Sequence, residues 1–230
     1  MSFLSVRRRE EKYYVNQYQY ALLSSLFKSI LMLDSHSGAK GHYLVRSVYF
    51  DSLNKKDFFE KEMGIKVRRK IRLRFYDDDY QRIKLEKKEK INKHSLKESL
   101  IISNDQAKAF SKGQFDLLKT YANDFSLGLY DYLSVNHYRL SAIVDYEREA
   151  YVHESFDLRV NFDKHIRGIT HQKDIFLKDP NMVPIIDPEL YILEVKYTGH
   201  LPDMIKEILA CVDLTKVSYS KYYYALWSEC

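Results

Sequence analysis

The chain has 230 residues, a net charge of +5 and 45% hydrophobic content, with only 7 glycines and 4 prolines. That is enough apolar material for one large folded domain, and it excludes a low-complexity, repeat-built or linker-divided chain. Two cysteines, Cys211 and Cys230, exclude a disulfide framework and cysteine-based metal spacing, and they suit a reducing compartment.

The N-terminus lacks the apolar run of a signal peptide. The longest apolar stretch, 21–33, is interrupted by Ser24, Ser25, Lys28 and Ser29 and is too short and polar to span a bilayer. A soluble, cytoplasmic protein is expected, with any membrane association made through a membrane-protein partner.

Residues 7–15 (RRREEKYYV) alternate as a strand, with Arg8, Glu10, Lys12 and Tyr14 on one face. Residues 17–33 carry helical spacing: Tyr18, Leu22, Leu26 and Ile30, with Leu23, Phe27 and Leu31 alongside. After a loop over 34–42, residues 43–51 form a second strand, whose Arg46 shares a face with Val48 and Phe50. A short helix over 52–63 ends at Gly64.

Residues 66–90 are patterned as a β-hairpin. Lys66, Arg68, Lys70, Arg72, Arg74 and Tyr76 share one face of the first arm, and Val67, Ile71, Leu73 and Phe75 share the other with Arg69. Asp77, Asp78 and Asp79 turn the chain. Arg82, Lys84, Glu86, Lys88 and Lys90 then oppose Ile83 and Leu85. A polar outer face is the default for antiparallel strands, but like charges in register repel unless an anion fills the face.

Residues 92–100 give a further strand carrying Lys97. Ser103 caps a helix over 105–112, Gly113 breaks it, and helical stretches follow over 115–121 and 125–135. This part, about 103–135, reads as a helical insertion packed outside the sheet. Strands return over 142–152, with Tyr146 and Arg148 opposite Ile143 and Tyr151, and over 157–163, with Arg159, Asn161 and Asp163 opposite Leu158, Val160 and Phe162. After an irregular segment, the strand 190–197 sets Ile192, Glu194 and Lys196 against Leu193, Val195 and Tyr197. Pro202 opens a helix facing Leu201, Ile205, Ile208 and Leu209 to the core, and 218–227 closes as a turn and helix capped by Ser220.

Repeated strands with one apolar face and one cationic or Glu/Lys face predict an α+β fold over 1–230: a closed antiparallel β-barrel, charged inside, with helices packed outside. Closure removes the exposed edges of a long sheet. Interior charge is costly unless compensated. A polyanion with a divalent cation compensates it, because Arg and Lys take phosphate oxygens and carboxylates hold the metal.

The motifs REEKYYV (9–15), YLVRSVYFDS (43–52), RRKIRLRFY (68–76), IKLEKKEK (83–90), DYEREAY (145–151), LRVNFD (158–163), YILEVKYTGHLP (191–202) and YSKYYY (219–224) cover nearly the whole chain. In this order they resemble the VTC (vacuolar transporter chaperone) polyphosphate polymerase domain, within the triphosphate tunnel (CYTH-like) metalloenzymes. The resemblance implies a tunnel that binds ATP and inorganic polyphosphate or triphosphate with Mn²⁺ or Mg²⁺, and moves the γ-phosphoryl of ATP onto a growing chain. Carried over by position, the substrate-binding residues are Lys12, Arg68, Lys70, Arg72, Arg74, Glu86, Lys88, Lys97, Arg148, Arg159, Lys196, Ser220 and Lys221. Among them Arg72, Arg74, Lys88, Arg148, Arg159 and Lys221 are the catalytic set, and Glu194 matches the metal position.

Two positions depart from the pattern. Arg8 stands where the wider superfamily often has a glutamate, which favours the polymerase branch. Ser218-Tyr219-Ser220-Lys221 has one cation fewer than Lys-x-Ser-Lys, with Lys216 nearby as a substitute. Arg148 and Arg159 have an alternative as cross-strand partners of Glu147, Asp157 or Asp163, and Glu194 as a buried ion-pair partner of a tunnel cation.

Transfer to a phosphate acceptor needs positioning and charge neutralisation, with no general base. The same tunnel suits a triphosphatase or polyphosphatase with water as acceptor, or a non-catalytic polyphosphate-binding module. Nucleic-acid binding needs cations on an exposed face with aromatics for stacking, and is not expected.

Overall fold

The computed structural model describes residues 8–228 apart from 78, 92, 93, 173 and 179. The alternating segments become β1 (Arg8–Asn16), β2 (Met32–Leu33), β3 (Tyr43–Ser52), β4 (Val67–Tyr76), β5 (Asp79–Ile91), β6 (His94–Ile102), β7 (Tyr138–His153), β8 (Leu158–Ile169), β9 (Val183–Pro184), β10 (Leu190–Thr198) and β11 (Thr215–Lys216). They form one antiparallel sheet in the order β11-β1-β10-β8-β7-β3-β4-β5-β6, with β2 on β7 and β9 on β8.

The expected closed barrel is not closed by hydrogen bonds: among the described residues no ladder joins β6 to β1 or β11. The sheet instead curls until side chains near its two ends meet, with Lys88 Nζ of β5 3.0 Å from Glu10 Oε2 of β1. Register shifts assist the curl. One lies between Tyr49 and Phe50 against β7, and another between Asp145 and Glu147 against β8, where His165 has a φ of 50°. An extra residue on one strand bends it and increases its twist.

The convex face is apolar and covered by helices. Ile71, Leu73, Phe75, Ile83 and Leu85 pack with Phe110 of α3 (Asn104–Ser111), Leu118 of a 3₁₀ turn (Phe115–Tyr121), and Leu129 and Leu133 of α4 (Asp124–Val135). Farther round, Leu23 and Phe27 of α1 (Gln17–Ile30) and Ile205 of α5 (Asp203–Ala210) cover Val160, Phe162, Leu193 and Val195. Burying a side chain of this size contributes about 1.5–3 kcal/mol. Asn16 with Gln19, and Ser103 with Gln106, form capping boxes that start α1 and α3.

The helical segment 115–121 is a 3₁₀ helix, and the reading of 17–33 changes in two ways. On α1 the buried stripe is Leu23, Ser24 and Phe27, whereas Tyr18 is 77% exposed and Ile30 is 37% exposed. Ser24 joins the buried side because its hydroxyl donates to Glu149 at 2.7 Å. The helix also stops at Ile30, and Met32 and Leu33 pair with β7.

A third apolar cluster lies on the concave side. Tyr49, Val144 and Ile192 pack with Tyr219, and with Tyr222, Ala225 and Leu226 of α6 (Lys221–Trp227), together with Phe58 of α2 (Lys56–Glu62). This cluster seats α6 and α2 against the curled sheet as a plug. Gly168 of β8 permits the approach: a Cβ there would lie 2.9 Å from Ile185 Cγ2 and 3.2 Å from Ala225 Cβ.

Candidate functional site: a cationic channel

Strand register gathers the charged faces on the concave side. Lys12 stands opposite Glu194, which stands opposite Asn161. Lys196 stands between Glu10 and Arg159, and Asp163 stands between Ile192 and Arg148. On the other half, Tyr49, Arg72, Glu86 and Ser99 form one row, and Lys70, Lys88 and Lys97 form another. Arg68 pairs with Lys90, and Arg74 lies between Ser47 and Lys84. Ser220 and Lys221 enter from the start of α6. Every residue of the expected set therefore borders one channel.

Three buried carboxylates organise the cations. Glu86 is 2.8 Å from Arg72, 3.7 Å from Arg74 and 2.5 Å from Lys97. Glu194 is 2.9 Å from Lys196 and 3.5 Å from both Lys12 and Arg148. Asp163 takes a bidentate pair from Arg148 at 2.7 and 2.8 Å and a contact from Lys221 at 2.5 Å. Burial pushes these carboxyls upward, but the cations outweigh it. Asp163 is held at about 2 by Arg148 and Lys221. Glu86 is held well below the carboxylate range by Arg72, Arg74 and Lys97, and Glu194 by Lys196, Lys12 and Arg148.

The ion-pair alternatives hold for Arg148 and for Glu194 while both still face the channel. Arg159 takes neither Glu147, Asp157 nor Asp163. Its guanidinium contacts Asp34 from the loop after β2, Tyr43 Oη at 2.9 Å and Asn161 Oδ1 at 3.1 Å.

Several cations of the concave side are incompletely compensated. Lys70 Nζ donates to Ser220 Oγ at 2.7 Å and meets no carboxylate among the described residues. Burial, then repulsion from Lys12, Lys88 and Arg72, pushes its pKa well below the usual lysine range. Burial likewise pushes Lys196 down to about 8 despite the adjacent Glu194. Arg74 is buried, and its Nε has no hydrogen-bond partner. Lys61 of α2 stands near Arg68, Lys90 and Lys12; burial and their repulsion lower its pKa.

Lys216 does not replace the missing late cation. It lies 3.0 Å from Glu11, on the opposite face of β1 from Lys12, and is 62% exposed at the side chain. Sequence reasoning also left several channel residues out of the set. Glu10 lies 3.0 Å from both Lys12 and Lys88, and Tyr49 Oη accepts from Arg72 at 3.3 Å. Glu10 and Lys90 were readable from alternation. Tyr49, on a strand with no channel cation, and Lys61, on a helix, carried no such signal.

The fold is shared with solved structures of low sequence identity. A candidate adenylate cyclase from Bacillus halodurans matches with a TM-score of 0.52 and 14% identity, over 94% of this chain and 93% of that one. A candidate adenylyl cyclase from Hippeastrum, described as having a dominant triphosphatase activity, matches with a TM-score of 0.55 and 12% identity, over 95% of each chain. A protein from Pyrococcus horikoshii OT3 matches with a TM-score of 0.51 and 12% identity, over 97% of this chain and 99% of that one. These matches place the chain in one fold class, a curled antiparallel sheet with helices outside it. No curated protein matches the sequence. Within that class the chain belongs to the VTC domain family, whose model matches residues 7–228.

Proposed function

We propose that the chain is a metal-dependent polyphosphate polymerase that moves the γ-phosphoryl of ATP onto inorganic polyphosphate held in the channel. The observation that carries this reading is the buried cation surplus. Arg74 Nε and Lys70 Nζ face the concave side without a carboxylate hydrogen bond, among guanidinium groups already fixed by Glu86 and Asp163. Buried cationic groups with so little carboxylate compensation are stabilised by a polyanion.

Arg72, held at Nε and Nη2 by Glu86, is aimed before a ligand arrives, as is Arg148 by Asp163. Such preorganised donors lower the repulsion between an attacking phosphate oxygen and the γ-phosphoryl group. The acceptor oxygen is already anionic, so chain elongation needs no base. Lys12, Lys88, Lys97, Arg68, Arg159, Lys196 and Lys221 supply further positive charge along the chain.

Among the described residues no group of three or more His, Cys, Asp or Glu could hold a metal alone. An ion shared with substrate fits better: Mg²⁺-type sites use one or two carboxylates plus phosphate oxygens. Glu194 would hold such a Mn²⁺ or Mg²⁺ ion, which when bound neutralises phosphate charge. No helix among the described residues is long and apolar enough to cross a membrane.

The test is to incubate the protein with ATP and Mn²⁺ and resolve products by phosphate chain length on a gel. The reading predicts lengthening chains that are lost in Arg72→Ala/Arg74→Ala. Orthophosphate alone would assign hydrolysis instead, and binding without ATP consumption would assign a non-catalytic module.

A further inference from the structure

Ser220 and Lys70 lie 150 residues apart in sequence, yet their Oγ and Nζ atoms are 2.7 Å apart inside the channel. Ser220 is 4% exposed, and its Oγ also accepts the Tyr223 amide at 3.3 Å, which sets its rotamer. Cations flank it on both sides. Lys12 Nζ donates to the Tyr219 carbonyl at 3.0 Å, and Lys221 Nζ lies 2.5 Å from Asp163.

A lysine that serves only as a phosphate ligand gains from being firmly charged. Lys70 is in the opposite situation: it is buried among Lys12, Lys88 and Arg72 with no carboxylate in contact, and Glu10 opposes their repulsion without outweighing it, so its proton is weakly held. A hydroxyl hydrogen-bonded to an amine that readily stays neutral is the arrangement of a serine–lysine nucleophile pair.

We propose that Ser220 is a phosphoryl-accepting nucleophile, with Lys70 as its base, and that the phosphoserine formed is the first unit on which a phosphate chain is built. The inference rests on the reading of the channel as an ATP site. Ser220 Oγ attacks the γ-phosphorus of ATP. The hydroxyl proton passes to Lys70 Nζ. The bond from the γ-phosphorus to the bridging oxygen breaks, and ADP leaves with that electron pair. Lys70, now an ammonium, faces the phosphoserine it helped to form. A terminal oxygen of that phosphoserine is an anion and attacks the next γ-phosphorus without a base. The base is thus needed only for initiation, which reconciles Lys70 with an elongation reaction that uses none.

The protein is incubated with ATP labelled at the γ-phosphoryl group and Mn²⁺, denatured at successive times down to a single turnover, and mapped by peptide mass. A phosphoryl group on Ser220 is expected in the wild type and none at that position in Ser220→Ala. Lys70→Met and Lys70→Arg separate charge from proton acceptance. Arginine restores the cation, so ATP-induced thermal stabilisation recovers relative to Lys70→Met. Arginine cannot take the proton, so Ser220 labelling stays about 10²-fold or more below wild type. The wild-type labelling rate rises with pH as Lys70 loses its proton.

ATP consumption or chain growth with no phosphoserine at Ser220 at any time overturns the inference and leaves the polymerase reading standing. Wild-type labelling in Lys70→Arg also overturns it, since the lysine would then only supply charge. A protein that neither binds nor consumes ATP overturns the channel reading and this inference with it.

Discussion

Lys88 and Glu10 meet at 3.0 Å although their strands lie near opposite ends of the sheet, β1 at one side and β5 at the other. Among the described residues no hydrogen-bonded ladder joins the two ends, and this side-chain contact is one of those that span the gap. Burial and Glu194 push the Glu10 carboxyl upward, but Lys12, Lys88 and Lys196 outweigh them and hold it below its usual range. The Lys88 side chain is 41% exposed, so the pair contributes about 1 kcal/mol or less to stability. Glu10→Gln releases two cations toward the ligand. Isothermal titration is expected to show tripolyphosphate binding a few-fold more tightly to Glu10→Gln and a few-fold more weakly to Lys88→Ala, with little change in either melting temperature.

Glu86 is the opposite case, a buried carboxylate serving Arg72, Arg74 and Lys97 together. Glu86→Gln leaves those cations facing one another and is expected to lose about 3–5 kcal/mol of stability. Tripolyphosphate should restore part of that loss, because a ligand bound to the folded state adds stability by mass action. Denaturant titrations with and without tripolyphosphate check this. A Glu86→Gln loss unchanged by saturating tripolyphosphate would count against anion binding in this row.

The α2 region predicts a pH dependence. Asp57 is buried, Tyr138 Oη donates to its Oδ1 at 3.0 Å, and its Oδ2 has no hydrogen-bond partner. Burial, then the charge of Asp51, pushes its pKa up to about 8 from an ordinary 3.8. The folded state therefore keeps a proton that the unfolded chain releases. The associated stability is full below about pH 4 and falls by at most about 1.4 kcal/mol per pH unit; the loss is complete above about pH 8. Asp57→Asn removes that slope. Denaturation of both proteins between about pH 5 and about pH 9 should show the variant gaining relative stability as pH rises. Parallel curves would contradict the assignment.

Gly168 ties the plug to the channel. A methyl group there meets Ile185 Cγ2 at 2.9 Å and Ala225 Cβ at 3.2 Å. Ile185 can rotate, but Ala225 moves only with α6, the helix that Ser220 caps. Gly168→Ala is expected to lose about 1–3 kcal/mol through overpacking. It should also weaken tripolyphosphate binding, because Lys221 shifts with the helix. Melting temperature and titration on the same variant test both effects.

Much of the channel was legible because a strand alternates with period 2 wherever it sits. Lys12, Arg72, Arg148, Glu194 and Lys196 could be placed on charged faces from their own segments alone. The partners of those residues could not. The Lys70–Ser220 contact depends on a helix reaching the hairpin from the far end of the chain, and Lys61 reaches Arg68 and Lys90 only because α2 folds back along β4. Lys216 was misread for the same reason. Proximity in sequence to Lys221 says nothing about which face of the sheet the Lys216 side chain takes. The α1 stripe slipped because two overlapping apolar spacings compete, and the buried Glu149 that selects Ser24 lies on a distant strand. Closure by side chains in place of a ladder was likewise invisible, since it depends on how far the bulged strands curl.

The most direct measurement of the central claim is a crystal structure of this chain grown with tripolyphosphate and Mn²⁺. Phosphate density along the concave face, with oxygens in hydrogen-bond reach of Arg72, Arg74 and Lys70 and absent from Arg72→Ala/Arg74→Ala, is the predicted result. Phosphate found only on the convex surface, with the concave cations still paired as in the free protein, would contradict it.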